Sequence, residues 1–438
     1  MTTQLKQSLG LFGLTMIAVG GSVGSGIFRS PGTVAAQLLD SQWILAVWLL
    51  GGVVVLAGAL TYAELGGLFP KAGGIYQYIR EAYGEKTAFV YGWSNLLVIN
   101  TGGMAGLALT FASYFNVLTP VNERVAAVSV IVVVTLVNIF GVKIGELFSS
   151  TLTVLKIIGM VAIIGIGLFF VSKIDPSVPD AVLQRPTKDF SAAFAAALIG
   201  VLFTVGGWQH ASYLSGEAKN ARRNIPLAMI FGAIIITILY VAVNVAYLRL
   251  LPMSELAASK AVASDAVSKV FKGGGLWIAV LIAISTFGTL VIYAMSVPRV
   301  YFAMASDGIF FKQLAYVHPR FGTPVVAIVV QSVWTIILML FMSFEQVIAY
   351  AVFIDQVFFL LAAFSIFIFR RRLPNAERTV RTWLYPLPPL VFCSISAWFL
   401  WKTLTGEQAA NQALGGLAVM ACGLPFYFYF KRKQMVNG

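Results

Sequence analysis

The chain has 438 residues, of which 59% are hydrophobic and 11% charged, where an ordinary soluble domain is roughly a quarter charged. That balance excludes a large soluble enzyme and predicts an all-α integral membrane protein. The net charge of +13 implies no nucleic-acid partner: with both termini on one side, the loops and tails of that side hold 19 lysines and arginines, the other side 10, and Lys156 lies inside a span. This is the positive-inside pattern, and it puts both termini in the cytoplasm.

Read as spans of about 20 residues, the apolar segments number twelve, at 10–38, 42–69, 86–117, 124–141, 148–172, 189–215, 225–250, 275–305, 324–342, 345–369, 384–404 and 410–430. The first is interrupted by Gly20-Gly21-Ser22-Val23-Gly24-Ser25-Gly26. Glycine weakens a helix and frees backbone groups that lipid cannot satisfy, so such a break belongs where it lines a cavity. A new half-helix starting at Ile27 presents unpaired N–H groups, which with the Ser22 and Ser25 hydroxyls suit a carboxylate. Gly20 and Gly24 also form a small-residue packing motif, but packing alone does not call for four glycines in seven positions. The same stretch matches the serine-hydrolase G-x-S-x-G, which needs a strand before it and acid and base partners; here it lies in a membrane helix, and that reading fails.

Glu64, near the end of the second span, reads as a loop anchor, followed by a tight connection at Pro70-Lys71-Ala72-Gly73-Gly74. The fifth span carries Lys156. A charge there is a functional candidate: a fixed cation bridging the first and fifth spans in place of sodium, a proton carrier, or a side chain snorkelling to the membrane edge. The sixth span is broken at Phe203-Thr204-Val205-Gly206-Gly207-Trp208, and 180 residues separate Gly206 from Gly26. Carbonyls ending its first half suit an ammonium group. Phe203 and Trp208 read either as gates over a substrate or as core aromatics. His210 reads as structural rather than proton-conducting, Glu217, like Glu64, as a loop anchor, and Pro226 suits the first turn of the seventh span. The loop 251–274 reads as a connector with short surface helices or as part of an outer gate. Asp355, in the tenth span, contacts substrate, gates, carries a proton or makes a structural hydrogen bond. Arg370–Arg372 offer a secondary patch for anionic lipid heads. Cys393 and Cys422 read as small buried hydrophobes. No cleavable signal or appended soluble domain is expected.

Five spans precede the second broken helix, and an odd-numbered unit repeated once re-enters the membrane inverted. Residues 10–172 and 189–370 therefore form a five-plus-five inverted repeat, with 384–430 adding two helices to a single transporter domain. Broken helices at matching places in two halves mark a transporter's binding site at the bilayer midplane. An ion channel would need repeated pore rings.

At these residues the chain resembles the amino acid–polyamine–organocation superfamily, in particular its L-type amino acid transporter branch and bacterial relatives. The matching stretches are Gly24-Ser25-Gly26-Ile27-Phe28 with Ser30-Pro31-Gly32, Tyr62 through Leu65 leading to Pro70 through Tyr76, Asn138 through Lys143 with Lys156 downstream, and Phe203 through Trp208 with Glu217 and Asn220. Phe287-Gly288, Arg299, Asp307-Gly308 and Gly322-Thr323-Pro324 continue the match.

The resemblance implies alternating access. The substrate carboxylate would meet Ser22, Val23, Gly24, Ser25 and Gly26, and its amino group the carbonyls of Phe203, Thr204, Val205 and Gly206. It also implies sodium independence, with Lys156 where coupled relatives bind the ion. Eukaryotic members carry a cysteine that links a glycoprotein subunit; Thr119 through Glu123 has none, so no disulfide-linked heavy subunit is expected. Val291 stands where L-type members often have Asn, and Asp355 where several are neutral, so both are pocket candidates that bear on specificity. The expectation is a sodium-independent exchanger of neutral L-amino acids in a bacterial inner membrane, without a cofactor or metal. The alternatives are a proton-coupled symporter or a carrier of cationic amino acids or polyamines.

Overall fold

A computed structural model describes residues 5–170, 190–341, 344–405 and 410–437. Its long helices follow the expected spans. The first span is the broken pair α1 (Leu11–Ser22) and α2 (Gly26–Leu38), bent by 41°. The second is α3 (Ser41–Leu68), started by Asp40, whose carboxylate accepts the N–H groups of Gln42 and Trp43 at 2.8 and 3.1 Å. A short helix α4 (Ile75–Tyr83) then precedes α5 (Glu85–Ser94), a π turn (Asn95–Ile99) and α6 (Asn100–Leu118), which together make the third span. The fourth and fifth are α7 (Glu123–Ile139) and α8 (Val142–Phe169). Residues 171–189, including the end of the expected fifth span and its outward lysines and arginine, lie outside the described residues.

The sixth span is again broken, into α9 (Phe190–Thr204) and the single turn α10 (His210–Tyr213), followed by α11 (Ala221–Leu250). Helix α11 starts four residues before the expected 225, so Pro226 falls in its second turn and not its first. The cause is Asn220, left-handed at φ 43°, whose carbonyl accepts the N–H groups of Arg223 and Asn224 and starts the helix early. The loop 251–274 holds the short helices α12 (Met253–Ala258) and α13 (Val262–Ser268), which pack on α2. The remaining spans are α14 (Gly274–Ser296) running on into α15 (Pro298–Ser306), α16 (Val325–Phe341), α17 (Phe344–Arg372), α18 (Leu387–Thr405) and α19 (Ala410–Asn437). Exposed Leu49, Leu147, Ile158, Phe169, Ile238 and Trp401 help cover the outside with apolar surface, as a bilayer requires. Cys422, expected to be buried, is exposed on α19, and Cys393 is half-buried.

The two broken helices lie side by side and antiparallel: α1 packs against α10, and α2 against α9. Their breaks cross backbone to backbone. A Cβ on Gly21 would stand 2.8 Å from the Gly207 carbonyl oxygen, and one on Gly207 would collide with the Gly21 carbonyl. Gly207 also has φ +112°, which side-chain-bearing residues rarely adopt. Around this crossing, α3 packs along α11 and α1 touches α8, α11 and α14.

Gly207→Ala is therefore expected to destabilise the protein by about 2 kcal/mol or more, from backbone strain and overpacking together. The apparent Tm of detergent-purified protein checks this; an unchanged Tm would refute the close crossing.

Candidate functional site

The first break is polarised by what its neighbours take from it. Buried Lys156, on α8, donates from Nζ to the carbonyls of Gly20 (3.0 Å) and Val23 (2.9 Å) and to Thr289 Oγ1 (2.8 Å). Ser285, on α14, contacts the carbonyls of Val23 and Gly24, each at 3.0 Å. Tyr240, on α11, donates to the Ser22 carbonyl at 2.8 Å. The freed carbonyls are thus occupied. Among the described residues, the N–H groups of Ser25, Gly26 and Ile27 find no acceptor, which is how a helix start binds an anion. Lys156 has no solvent exposure, so it does not snorkel, and among the described residues it has no carboxylate partner.

The second break has the opposite character. Among the described residues no group donates to the carbonyls of Leu202 and Phe203 at the end of α9, leaving partial negative charge there. The Gly207 N–H is occupied by Gln209 Oε1 at 3.0 Å. Thr204 ties the two broken helices: its hydroxyl donates to Gly200 O and pairs with the Ser30 hydroxyl, both at 2.8 Å. A group needing donors at one end and acceptors at the other fits between them.

Both breaks open into a cavity of about 170 Å³. Ser22, Gly24, Ser25, Gly26, Phe203, Thr204, Gly206 and Asp355 line it. The Ser22 hydroxyl is turned back onto Ala18 O at 3.2 Å and its carbonyl is held by Tyr240, so Ser22 lines the cavity without a free polar group. The other sequence-derived candidates stand off the wall. Val23 offers only its carbonyl, which Lys156 and Ser285 hold, and its side chain is buried with that of Val205. Trp208 is buried against Tyr62, ring centroids 5.2 Å apart, on the α3 side. Val291 faces a separate apolar cluster shared with α6 and α7. The wall position on that helix belongs to Thr289 and Tyr293. Sequence reading passed over Asn100, Gln209, Thr289, Tyr293 and Tyr240. For Thr289 and Ser285 the signal was present, as polar residues repeated within an apolar span.

The lining runs along α6 to Thr110 and along α17 to Ala351, toward the ends away from the termini. On the terminal side the structure is shut. Glu217 and Arg299, both buried, pair at 2.6 and 2.8 Å. The Glu217 carbonyl also accepts the N–H groups of Ser8 and Leu9 at 2.8 and 3.0 Å, and Lys219 N–H closes onto Leu9 O at 2.8 Å. Glu64 is buried between Arg370 (2.6 Å) and Arg378 (2.9 Å) and accepts the Thr382 N–H at 2.8 Å, tying α3 to α17 and the chain beyond it. His210 contacts Ser296 Oγ through Nδ1 at 2.7 Å and lies over the Tyr293 ring at 4.1 Å, a packed position.

A family model described as amino acid permease matches residues 9–413. The chain is 34% identical to the serine/threonine exchanger SteT of Bacillus subtilis, over 98% of each chain. It is 30% identical to the human Asc-type amino acid transporter 1, over 97% of this chain and 82% of that one. It is 27% identical to the mouse b(0,+)-type amino acid transporter 1, over 98% and 89% respectively.

Two substitutions separate the parts of the site. Lys156→Ala removes the ammonium donor from the Gly20 and Val23 carbonyls and leaves them only the hydroxyls of Thr289 and Ser285, so uptake is expected to fall about tenfold or more, with expression less affected. Retained uptake would return Lys156 to a packing role. A Cβ on Gly206 meets nothing nearer than the Phe203 carbonyl at 3.6 Å. Gly206→Leu is therefore expected to fold, to fill the cavity and to abolish substrate binding at unchanged Tm; normal uptake would sink the assignment.

Proposed function

The chain belongs to the amino acid permease family, and on that premise we propose that it is a sodium-independent exchanger of neutral L-amino acids working by alternating access. It is a multi-pass membrane transporter and not an enzyme, and its substrate is an amino acid. The observation that carries the amino acid reading is the opposed polarity of the two breaks. In this reading the substrate carboxylate rests on the N–H groups of Ser25, Gly26 and Ile27. Its ammonium group meets the carbonyls of Leu202 and Phe203, so the site grips the zwitterion that all amino acids share. Lys156 occupies the first break as a fixed cation, a role that needs no bound sodium. The activity for which the Bacillus relative is named, serine/threonine exchange, supports exchange of small neutral substrates.

The lysine and arginine asymmetry supports cytoplasmic termini in a bacterial inner membrane. With that orientation the cavity faces outward, and the Glu217–Arg299 pair with the Leu9 contacts forms the closed inner gate. The antiparallel pairing of α1 with α10 and of α2 with α9 supports reading 10–172 and 189–370 as inverted repeats. A single chain in the bilayer, without a disulfide-linked subunit, is sufficient for this mechanism.

Purified protein in sodium-free liposomes tests the reading. Labelled alanine is expected to enter only when unlabelled amino acid is inside, and to ignore an inward proton gradient. Entry into empty liposomes driven by the gradient would overturn exchange in favour of proton symport.

A further inference from the structure

We propose that Asp355 reads the substrate's side chain and makes the site selective for hydroxyl-bearing amino acids, an inference that rests on the exchange reading above. Asp355 is the sole acidic or basic residue among those lining the cavity. Among the described residues it makes no hydrogen bond or ion pair, and its Oδ1 is buried without a partner. Yet the residue keeps a partly exposed face on the cavity. An acceptor left this way is unfavourable until something donates to it.

Among the described residues no donor of the wall is bonded to Asp355: Gln209 Nε2 makes no hydrogen bond, and four others are committed elsewhere. Asn100 Nδ2 donates to Asn95 Oδ1 at 2.8 Å, Gln356 Nε2 to Ser396 Oγ at 2.7 Å, Thr110 to Gly106 O at 2.9 Å and Thr204 to Gly200 O at 2.8 Å. The Tyr293 hydroxyl shares the wall but makes no hydrogen bond to Asp355. A substrate hydroxyl would supply the donor that the wall does not bring to Asp355. A site built to hydrogen-bond a substrate hydroxyl rejects an isostere that lacks one far more strongly than an apolar pocket could.

Charge selects a hydroxyl over an ammonium side chain. A hydroxyl can donate to Asp355 without carrying a further charge into the cavity. A lysine-like substrate would bring an extra ammonium charge into a low-dielectric site.

Threonine and valine are isosteres that differ by the hydroxyl alone, which makes them the probe. In liposomes loaded with alanine, wild-type protein is expected to exchange threonine over valine by at least about tenfold in kcat/KM. Asp355→Ala is expected to bring that ratio close to one, while Asp355→Asn, which keeps an acceptor oxygen, retains part of it. The ratio is the readout, so a variant of reduced overall rate still reports. Equal handling of threonine and valine by the wild type, an unchanged ratio in Asp355→Ala, or a wild-type preference for lysine over threonine would overturn the assignment while alanine exchange stands. Absence of alanine exchange in the wild type would instead overturn the exchange reading, and this inference with it.

Discussion

The structure depends on one ammonium group buried among carbonyls. Lys156 enters the gap in the first broken helix and binds Gly20 and Val23 on one side and Thr289 on the other. Removing a charge from water is costly, and here the compensation comes from neutral dipoles without a carboxylate. The arrangement works because the break supplies carbonyls that would otherwise be orphaned in the membrane interior. Each side solves the other's problem: the lysine holds the helix open, and the open helix makes the lysine tolerable. What remains unclaimed is a row of N–H donors facing the cavity.

A second constraint fixes where those donors point. The breaks cross at Gly21 and Gly207 with no room for a side chain on either. Two antiparallel broken helices held this closely place the start of α2 beside the end of α9. Thr204 and Ser30 stitch the pair at the same level. The site's geometry is set by backbone, which in the proposed reading lets it grip what all amino acids have in common and leaves discrimination to Asp355 on α17.

Much of this is legible in the chain. Glycine runs inside apolar segments mark the breaks because nothing else in a bilayer tolerates them, and Lys156 stands out as a charge in an apolar span. The register of side chains is not legible. Trp208 and Val205 lie within a few residues of cavity-lining positions, yet face α3 or the buried core, because the bend reorients the chain by an amount the sequence does not state; Val291 stands between the wall residues Thr289 and Tyr293 but faces another side of α14. The π turn at Asn95–Ile99 is equally silent, although it shifts the register of α6 and so decides that Asn100 meets the cavity. Helix α4 escaped notice because its polar and apolar residues read as a connection, while its buried face packs on α17. Glu217 and Arg299 are 82 positions apart, and only the folded chain brings them together.

That pair has a consequence for permeability. Glu217 holds Arg299 with its carboxylate and the N-terminal segment with its carbonyl, so the two fastenings of the closed end share one residue. Loosening either exposes a buried charge or an orphaned amide, and each partial opening is costly without yet admitting a solute. The closed end therefore gives way as a unit or stays shut. Such an all-or-none seal keeps water and small ions from slipping through while the substrate is changing sides, and a carrier embedded in an energised membrane can move its cargo without short-circuiting the gradient around it.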